Sequence, residues 1–525
     1  MDTTEESQLK EVHKAFLSFR MRAEKVADEK VKETFVDAAP LIDILSTGNN
    51  QVFYGRRGTG KTHALKVVAD RAAANKEAAV YLDLRAVGSN NSIYADTNRT
   101  LAERASQLLN DVFLALVAEF NQLAYQALDT ATHPDQILLR LEDFESAIGS
   151  VRVHGSTEQE VSSSNTTGSK SALELNLSAS PATASMGAKA NAEESAAATD
   201  ALRLKRTGQE FLHIDFGSVQ SALTGLVTVL GVGKLWLLID EWSEVPVSLQ
   251  PFLADLFRRT ILPSNNCVVV IAAIEHRSRF SIRKDKGEYV GIELGADMPA
   301  ILNMDDFLVF DSNESKSVAF FKNLLFRHYS ASDASSANIA TADELIRITF
   351  TQMNVFAEFV RAIEGVPRDA LSLLASIATR NFGTRIGMQQ LRASVLEWFQ
   401  REKAAVLRDD PKLAQALDYI IDSVIAGRKA RAFLFPSNTS NDVIDKLFDS
   451  RVLHVRKRNV SSNDTPGKRY DVFKIDYGFY VDKINTNAEP TGLLEDEDGF
   501  ADVPKDDYRS IRRAILKPED LPAAN

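Results

Sequence analysis

Residues Gly55 to Thr62 read GRRGTGKT, and no other stretch narrows the choice of fold as far. The spacing is glycine, four residues, glycine, lysine and a hydroxyl residue. Glycines let successive backbone N–H groups turn inward around an anion without Cβ clashes. A helix that begins at the lysine adds its positive N-terminal end. Lys61 would then reach the β- and γ-phosphates of a nucleotide, and the Thr62 hydroxyl would ligate Mg2+. At average residue frequencies, about 0.02 such matches are expected in a chain of this length. The flanks agree, because NNQVFYG reads as a strand and GKTHALKVVADRAAANK as a helix. The candidate phosphate-contacting residues are therefore Gly55, Arg56, Arg57, Gly58, Thr59, Gly60, Lys61, Thr62 and His63.

A phosphate loop needs a carboxylate for the metal and a group that activates water. LWLLIDEW supplies both, as an apolar strand ending in Asp240 and Glu241. At the carboxyl end of a strand, Asp240 can hold the Mg2+ shell while Glu241 orients or deprotonates water. The two motifs stand far apart for neighbours in one sheet. A low-complexity stretch rich in Ser, Ala, Thr, Gly, Asn and Glu, residues 149–206, accounts for much of the distance. That composition buries too little apolar surface to fold alone, so it reads as an insertion. Its alternating Leu173, Leu175 and Leu177 leave open a hairpin or a segment ordered by a partner.

The 525 residues are too many for one core, and two or three domains are expected. A net charge of −11 excludes a generally basic nucleic-acid coat, so any DNA contact requires a local patch. Cys267 is the only cysteine, which excludes a disulfide framework and a cysteine-based zinc site. The N-terminus is acidic and polar, unlike a secretory signal, and no apolar run reaches the roughly 18 residues of a membrane span. The expectation is a soluble, cytoplasmic protein without a membrane segment.

Apolar periodicity divides the rest. Residues 1–35 read as a charged amphipathic helix flanking the first domain, and residues 36–310 as an α/β domain with a parallel sheet. Residues 311–395 are helical throughout. In 396–485, helices lead to the strand RAFLFP, the helix SNDVIDKLFDSRV and two further strands, a pattern that suggests a winged helix. Residues 486–525 form an acidic tail that reads as loosely held. Arg456, Lys457 and Arg458 lie around the expected wing and offer duplex DNA the required basic patch; solvated hairpin charge is the alternative.

Together, GRRGTGKT, LLIDEW, the strand CVVVIAAIE, the helical region with EGVPRDAL and the winged-helix pattern resemble the AAA+ P-loop ATPases. The branch is that of the archaeal and eukaryotic origin-recognition initiators, with the bacterial STAND signalling ATPases close behind. The resemblance implies a parallel-sheet ATPase domain, a helical lid and a winged helix, with ATP and Mg2+ as cofactors. It implies that Pro367 and Arg368 form the lid motif whose arginine approaches the γ-phosphate. It further implies that Arg258 or Arg259 is an arginine finger for a neighbouring subunit, although both also complement a helix C-terminus. After the strand VVVIAAI, AAA+ proteins usually place an Asn, Thr or Ser, whereas this chain has Glu275, His276 and Arg277, the last resembling the STAND arginine. The implied function is an ATPase cycling between ATP and ADP states, acting on or with DNA and assembling with itself or a protein partner. The alternative is a nucleotide-controlled signalling or defence switch.

Overall fold

In a computed structural model of the chain, the structure describes residues 3–19, 28–38, 40–87, 94, 96, 98–128, 134–149, 152–154, 211–213, 215–283, 287–308, 314–335, 338–422, 432–437, 439, 441–461, 467–479, 481 and 515–521. The Leu173–Leu177 alternation and nearly all of 149–206 lie outside them.

Five parallel strands form the central sheet: β1 (Gln51–Tyr54), β2 (Ala78–Asp83), β5 (Leu235–Asp240), β6 (Cys267–Ala273) and β9 (Ala300–Asn303), in the order β2-β5-β6-β1-β9. β5 and β6 are buried at every position. Continuous apolar runs of this kind mark parallel strands covered on both faces. Alternate residues go to opposite cores, as the strand period of two requires. Leu235, Leu237 and Ile239 face one side with Val269 and Ile271; Trp236 and Leu238 face the other with Val268 and Val270. The first face is covered by α5 (Leu101–Leu128), α6 (Pro134–Gly149), α7 (Phe216–Val229) and α8 (Gln250–Thr260), the second by α3 (Leu41–Leu45) and α4 (Lys61–Ala74). Two antiparallel pairs join the margins: β3 (Arg152–His154) with β4 (Phe211–His213), and β7 (Ser281–Arg283) with β8 (Tyr289–Gly291).

After α9 (Asp305–Leu308), a separate helical core is built by α10 (Glu314–Ser330), α11 (Ala342–Thr349), α12 (Met353–Ala362), α13 (Pro367–Arg380) and α14 (Met388–Glu402). A third core joins α15 (Ala405–Asp409), α16 (Pro411–Ile420) and α17 (Asp442–Asp449) to an antiparallel sheet. Its strands are β10 (Ala432–Pro436), β11 (Leu453–Ser461) and β12 (Arg469–Ile475), in the order β10-β12-β11.

Two expectations change. The N-terminal helix is two helices, α1 (Thr3–Leu17) and α2 (Asp28–Thr34). α1 does not flank the sheet: Val12, Ala15, Phe16 and Phe19 enter the helical core, and the Gly383 N–H donates to His13 Nδ1 at 3.1 Å. The acidic tail is anchored near its end. Leu516 and Leu521 are buried in the third core, and the Leu516 N–H donates to the Leu434 carbonyl at 2.9 Å. Apolar side chains outside the acidic run account for both dockings. No helix among the described residues is long and apolar enough to cross a membrane.

Phe16 is 1% exposed, whereas its neighbour Leu17 is 47% exposed. Phe16→Ala should destabilise the helical core by about 3–5 kcal/mol, the range for a buried phenylalanine, and lower the first thermal transition in calorimetry. Leu17→Ala should leave that transition in place.

Candidate nucleotide site

The loop between β1 and α4 lies at the carboxyl edge of the sheet, where open α/β folds place their ligands. Gly58 and Gly60 have φ of 88° and 98°, which glycine adopts without strain. A Cβ on Gly58 would lie 2.8 Å from Cβ of Arg368 and 3.1 Å from Val366 Cγ1. The lid turn therefore rests on the loop, and the Arg368 N–H donates to the Gly58 carbonyl at 3.1 Å. Lys61 is buried and donates to the carbonyls of Gly55 (2.9 Å) and Arg56 (3.1 Å). Burial holds its ammonium below the ordinary lysine range, opposed by the charges of Glu241, Asp240 and Asp305. Thr59 closes the loop by donating to the Arg56 carbonyl at 2.9 Å.

Opposite the loop, Asp240 accepts from the Thr62 hydroxyl at 2.6 Å and the Tyr81 hydroxyl at 2.7 Å. A hydroxyl and a carboxylate in contact form the hard oxygen set that suits Mg2+. Glu241 adopts φ 54°, an uncommon conformation for a residue with a side chain. Burial, then the Asp240 charge, push its carboxyl above the usual range, a shift suited to a general base. Arg85 Nη1 lies 3.6 Å from Glu241 and also grips Asp83, Nη2 to Oδ2 at 2.6 Å.

Other candidates have contacts of their own. His63 turns away from the loop interior, its Nε2–H donating to the Val31 carbonyl at 2.5 Å. Arg57 donates to Glu244 at 2.5 Å. Pro367 opens α13 and puts Arg368 in its first turn. Arg258 and Arg259 both bind Asp255 on their own helix, each at 2.7 Å, and lie over the rings of Tyr289 and Phe216. Arg277 follows β6 and pairs with Asp449 at 3.2 Å. Arg458 is only 15% exposed and pairs with Glu275 at 2.8 Å, so this wing cation is held against the sheet domain. Lys457 is exposed and Arg456 half-buried.

Sequence reasoning missed the role of Arg56. Its side chain is 1% exposed, and Nε donates to Asp305 at 2.7 Å. Nη2 donates to the Glu364 carbonyl at 3.1 Å, and Nη1 to His454 Nδ1. Because guanidinium only donates, Nδ1 accepts, and His454 Nε2–H donates onward to Asp476 at 2.8 Å. Lys403 completes the row by binding Asp476 and approaching Asp369 at 3.4 Å. Burial, then the Arg56 charge, hold His454 neutral, its pKa lowered to about 3. Tyr81, Arg85 and Asp305 were also missed, since no local pattern marks them.

The family model described as ORC-CDC6-like matches residues 18–297, more than half of the chain. The chain belongs to the ORC-CDC6-like family. It is accordingly an AAA+ P-loop protein, as its sheet order and phosphate loop also indicate. No curated protein matches the sequence. Among solved structures, it is similar to a Walker-type ATPase of Pyrococcus abyssi, at 14% identity over 89% of this chain and 99% of that one, with a TM-score of 0.39. It is also similar to the Aeropyrum pernix Orc1 protein solved in complex with DNA, at 14% identity over 93% and 97%, with a TM-score of 0.33.

The buried imidazoles give this assembly a pH dependence of definite sign. His454 titrates at about 3 when folded, below its ordinary 6.5. Its contribution is therefore complete above pH 6.5 and is lost as pH falls toward 3. His13 and His276, both lowered to about 4 by burial, act in the same sense. Asp449, pushed up to about 6 by burial, opposes them between its ordinary 3.8 and 6. Stability to urea should fall between pH 7.5 and 5.0, and His454→Gln should flatten the slope by up to about 1.4 kcal/mol per pH unit.

Proposed function

We propose that this chain binds Mg·ATP in the Gly55–Thr62 loop and hydrolyses it, coupling the nucleotide state to a winged-helix domain formed by residues 396–485. The observation that carries the reading is the Thr62–Asp240 contact at 2.6 Å, with buried Lys61 in the loop beside it. Loop amides and Lys61 neutralise the phosphates. Thr62 and Asp240 would hold the metal, which when bound would supply Lewis-acid polarisation of the terminal phosphate. Glu241, with its raised pKa, accepts the proton of the attacking water. Arg85 sets the position of that carboxylate, and Arg368 brings the lid's positive charge to the phosphates. Arg258 or Arg259 would serve a neighbouring copy only after release from Asp255.

Lys61→Ala should abolish most ATP affinity in calorimetry while the folded signal by circular dichroism stays intact. Glu241→Gln should bind Mg·ATP as the wild type does and turn it over at least about tenfold more slowly. If instead it loses binding and keeps its turnover per bound nucleotide, the roles of Asp240 and Glu241 are misassigned.

Contact with duplex DNA through the basic wing belongs to the same reading, supported by Lys457, Lys468 and Arg469, all exposed. Arg458 joins them only when it leaves Glu275. Replacing Arg456, Lys457 and Arg458 by Ala should weaken duplex binding several-fold and flatten the log–log salt dependence by up to about three units. Fluorescence anisotropy across a salt series, with ATP and with ADP, measures both. A switch that acts through a protein partner is favoured instead if no duplex binds at low salt in either nucleotide state. The ion pairs that hold the third core against the sheet domain are the observation supporting that second reading.

A further inference from the structure

Helix α17 brings an acid to the edge of the phosphate loop. Asp449 is the last residue of the helix, where its charge meets the negative end of the helix dipole. Its Oδ2 lies 3.2 Å from Arg277 Nε, while Oδ1 is buried without a hydrogen-bond partner among the described residues. An unpaired buried carboxylate oxygen is costly; burial pushes the Asp449 carboxyl up to about 6, opposed by Arg277 and by two further cations, Arg57 and Lys61. Both belong to the phosphate loop. The placement is fixed by the rest of the helix. Phe448 meets the His276 ring edge-on at 5.0 Å and lies under the Arg56 guanidinium at 5.5 Å. Asp445 lies 3.4 Å from His276 Nδ1. Nothing local to α17 favours an aspartate at its end; the Arg277 guanidinium does.

We propose that Asp449 is a specificity-determining residue of the nucleotide site, an internal carboxylate competing with the terminal phosphate of a nucleoside triphosphate for Arg277. A diphosphate is accommodated with α17 seated. A triphosphate brings further negative charge toward Arg277 and binds fully only when α17 withdraws. The inference rests on the reading of Gly55–Thr62 as the phosphate site and adds to it a discrimination between tri- and diphosphate, together with the element that moves.

The test uses the full chain with Mg2+. Isothermal titration calorimetry measures ADP and ATPγS affinities for the wild type, Asp449→Asn and Asp445→Asn, and hydrogen exchange follows residues 442–449. Asp449→Asn should tighten ATPγS about tenfold or more relative to ADP. Asp445→Asn, on the same helix and 3.4 Å from His276, should leave that ratio within about twofold. In the wild type, ATPγS but not ADP should raise exchange across α17. An unchanged ratio in Asp449→Asn, with both nucleotides still bound, overturns the proposal and leaves the phosphate site standing. An equal shift in Asp445→Asn also overturns it, because loosened docking would then account for the effect. Failure of the wild type to bind either nucleotide removes the phosphate-site reading, and this inference with it.

Discussion

The guanidinium of Arg56 is the interaction on which the assembled site depends. A buried charge is costly unless it is paired and its remaining donors are satisfied. Arg56 meets that condition with groups from three parts of the chain: Asp305 after the edge strand, the Glu364 carbonyl in the lid turn, and His454 on β11. Its own N–H donates to Asp305 as well, at 3.0 Å. The backbone of the phosphate loop is thus fixed at one end by the same residue whose side chain joins the lid to the third core. Any displacement of these parts leaves a donor or an acceptor of the row without its partner. The Arg56–His454–Asp476–Lys403 sequence therefore makes the geometry of the loop and the docking of the C-terminal residues a single condition.

Much of this was legible in the chain, for reasons that differ by residue. Lys61, Thr62 and the loop glycines form a contiguous pattern because one turn of backbone performs one task. Asp240 and Glu241 were legible because they end an apolar strand. Arg56 occupies a variable position of the same pattern, and its partners lie 249, 308 and 398 residues away, so no local spacing could reveal them. Tyr81 and Arg85 sit at the end of β2, whose pairing with β5 alone brings them to Asp240 and Glu241. The edge strand β9 is four residues long and leaves little periodic signal. The wing cations read as a DNA-facing patch because sequence shows charge without its counter-charge; Glu275, the partner of Arg458, lies on the far side of the lid in sequence.

The surfaces between the parts differ in chemistry, and this decides which of them separates most readily. Tyr477 and Val481, from the end of the third core's last strand, are buried in the helical core of the lid, and the Tyr477 hydroxyl donates to buried Glu358. Lys474 pairs with Glu364 at 2.8 Å, and Arg451 pairs with Asp369. The third core and the lid thus share apolar burial as well as charge. Against the sheet domain the third core makes polar contacts, Arg277 with Asp449, Arg458 with Glu275, Asp445 with His276 and His454 with Arg56, together with the rings of Phe448 and Phe473 against His276. Ionic partners regain hydration when parted, whereas apolar surface does not. The seam with less apolar burial therefore runs between the sheet domain and the third core, and opening it breaks the Arg56 contact with His454 as well. Arg277, one of the cations along that seam, holds the acid at the end of α17, so an anion competing for Arg277 would act at that seam.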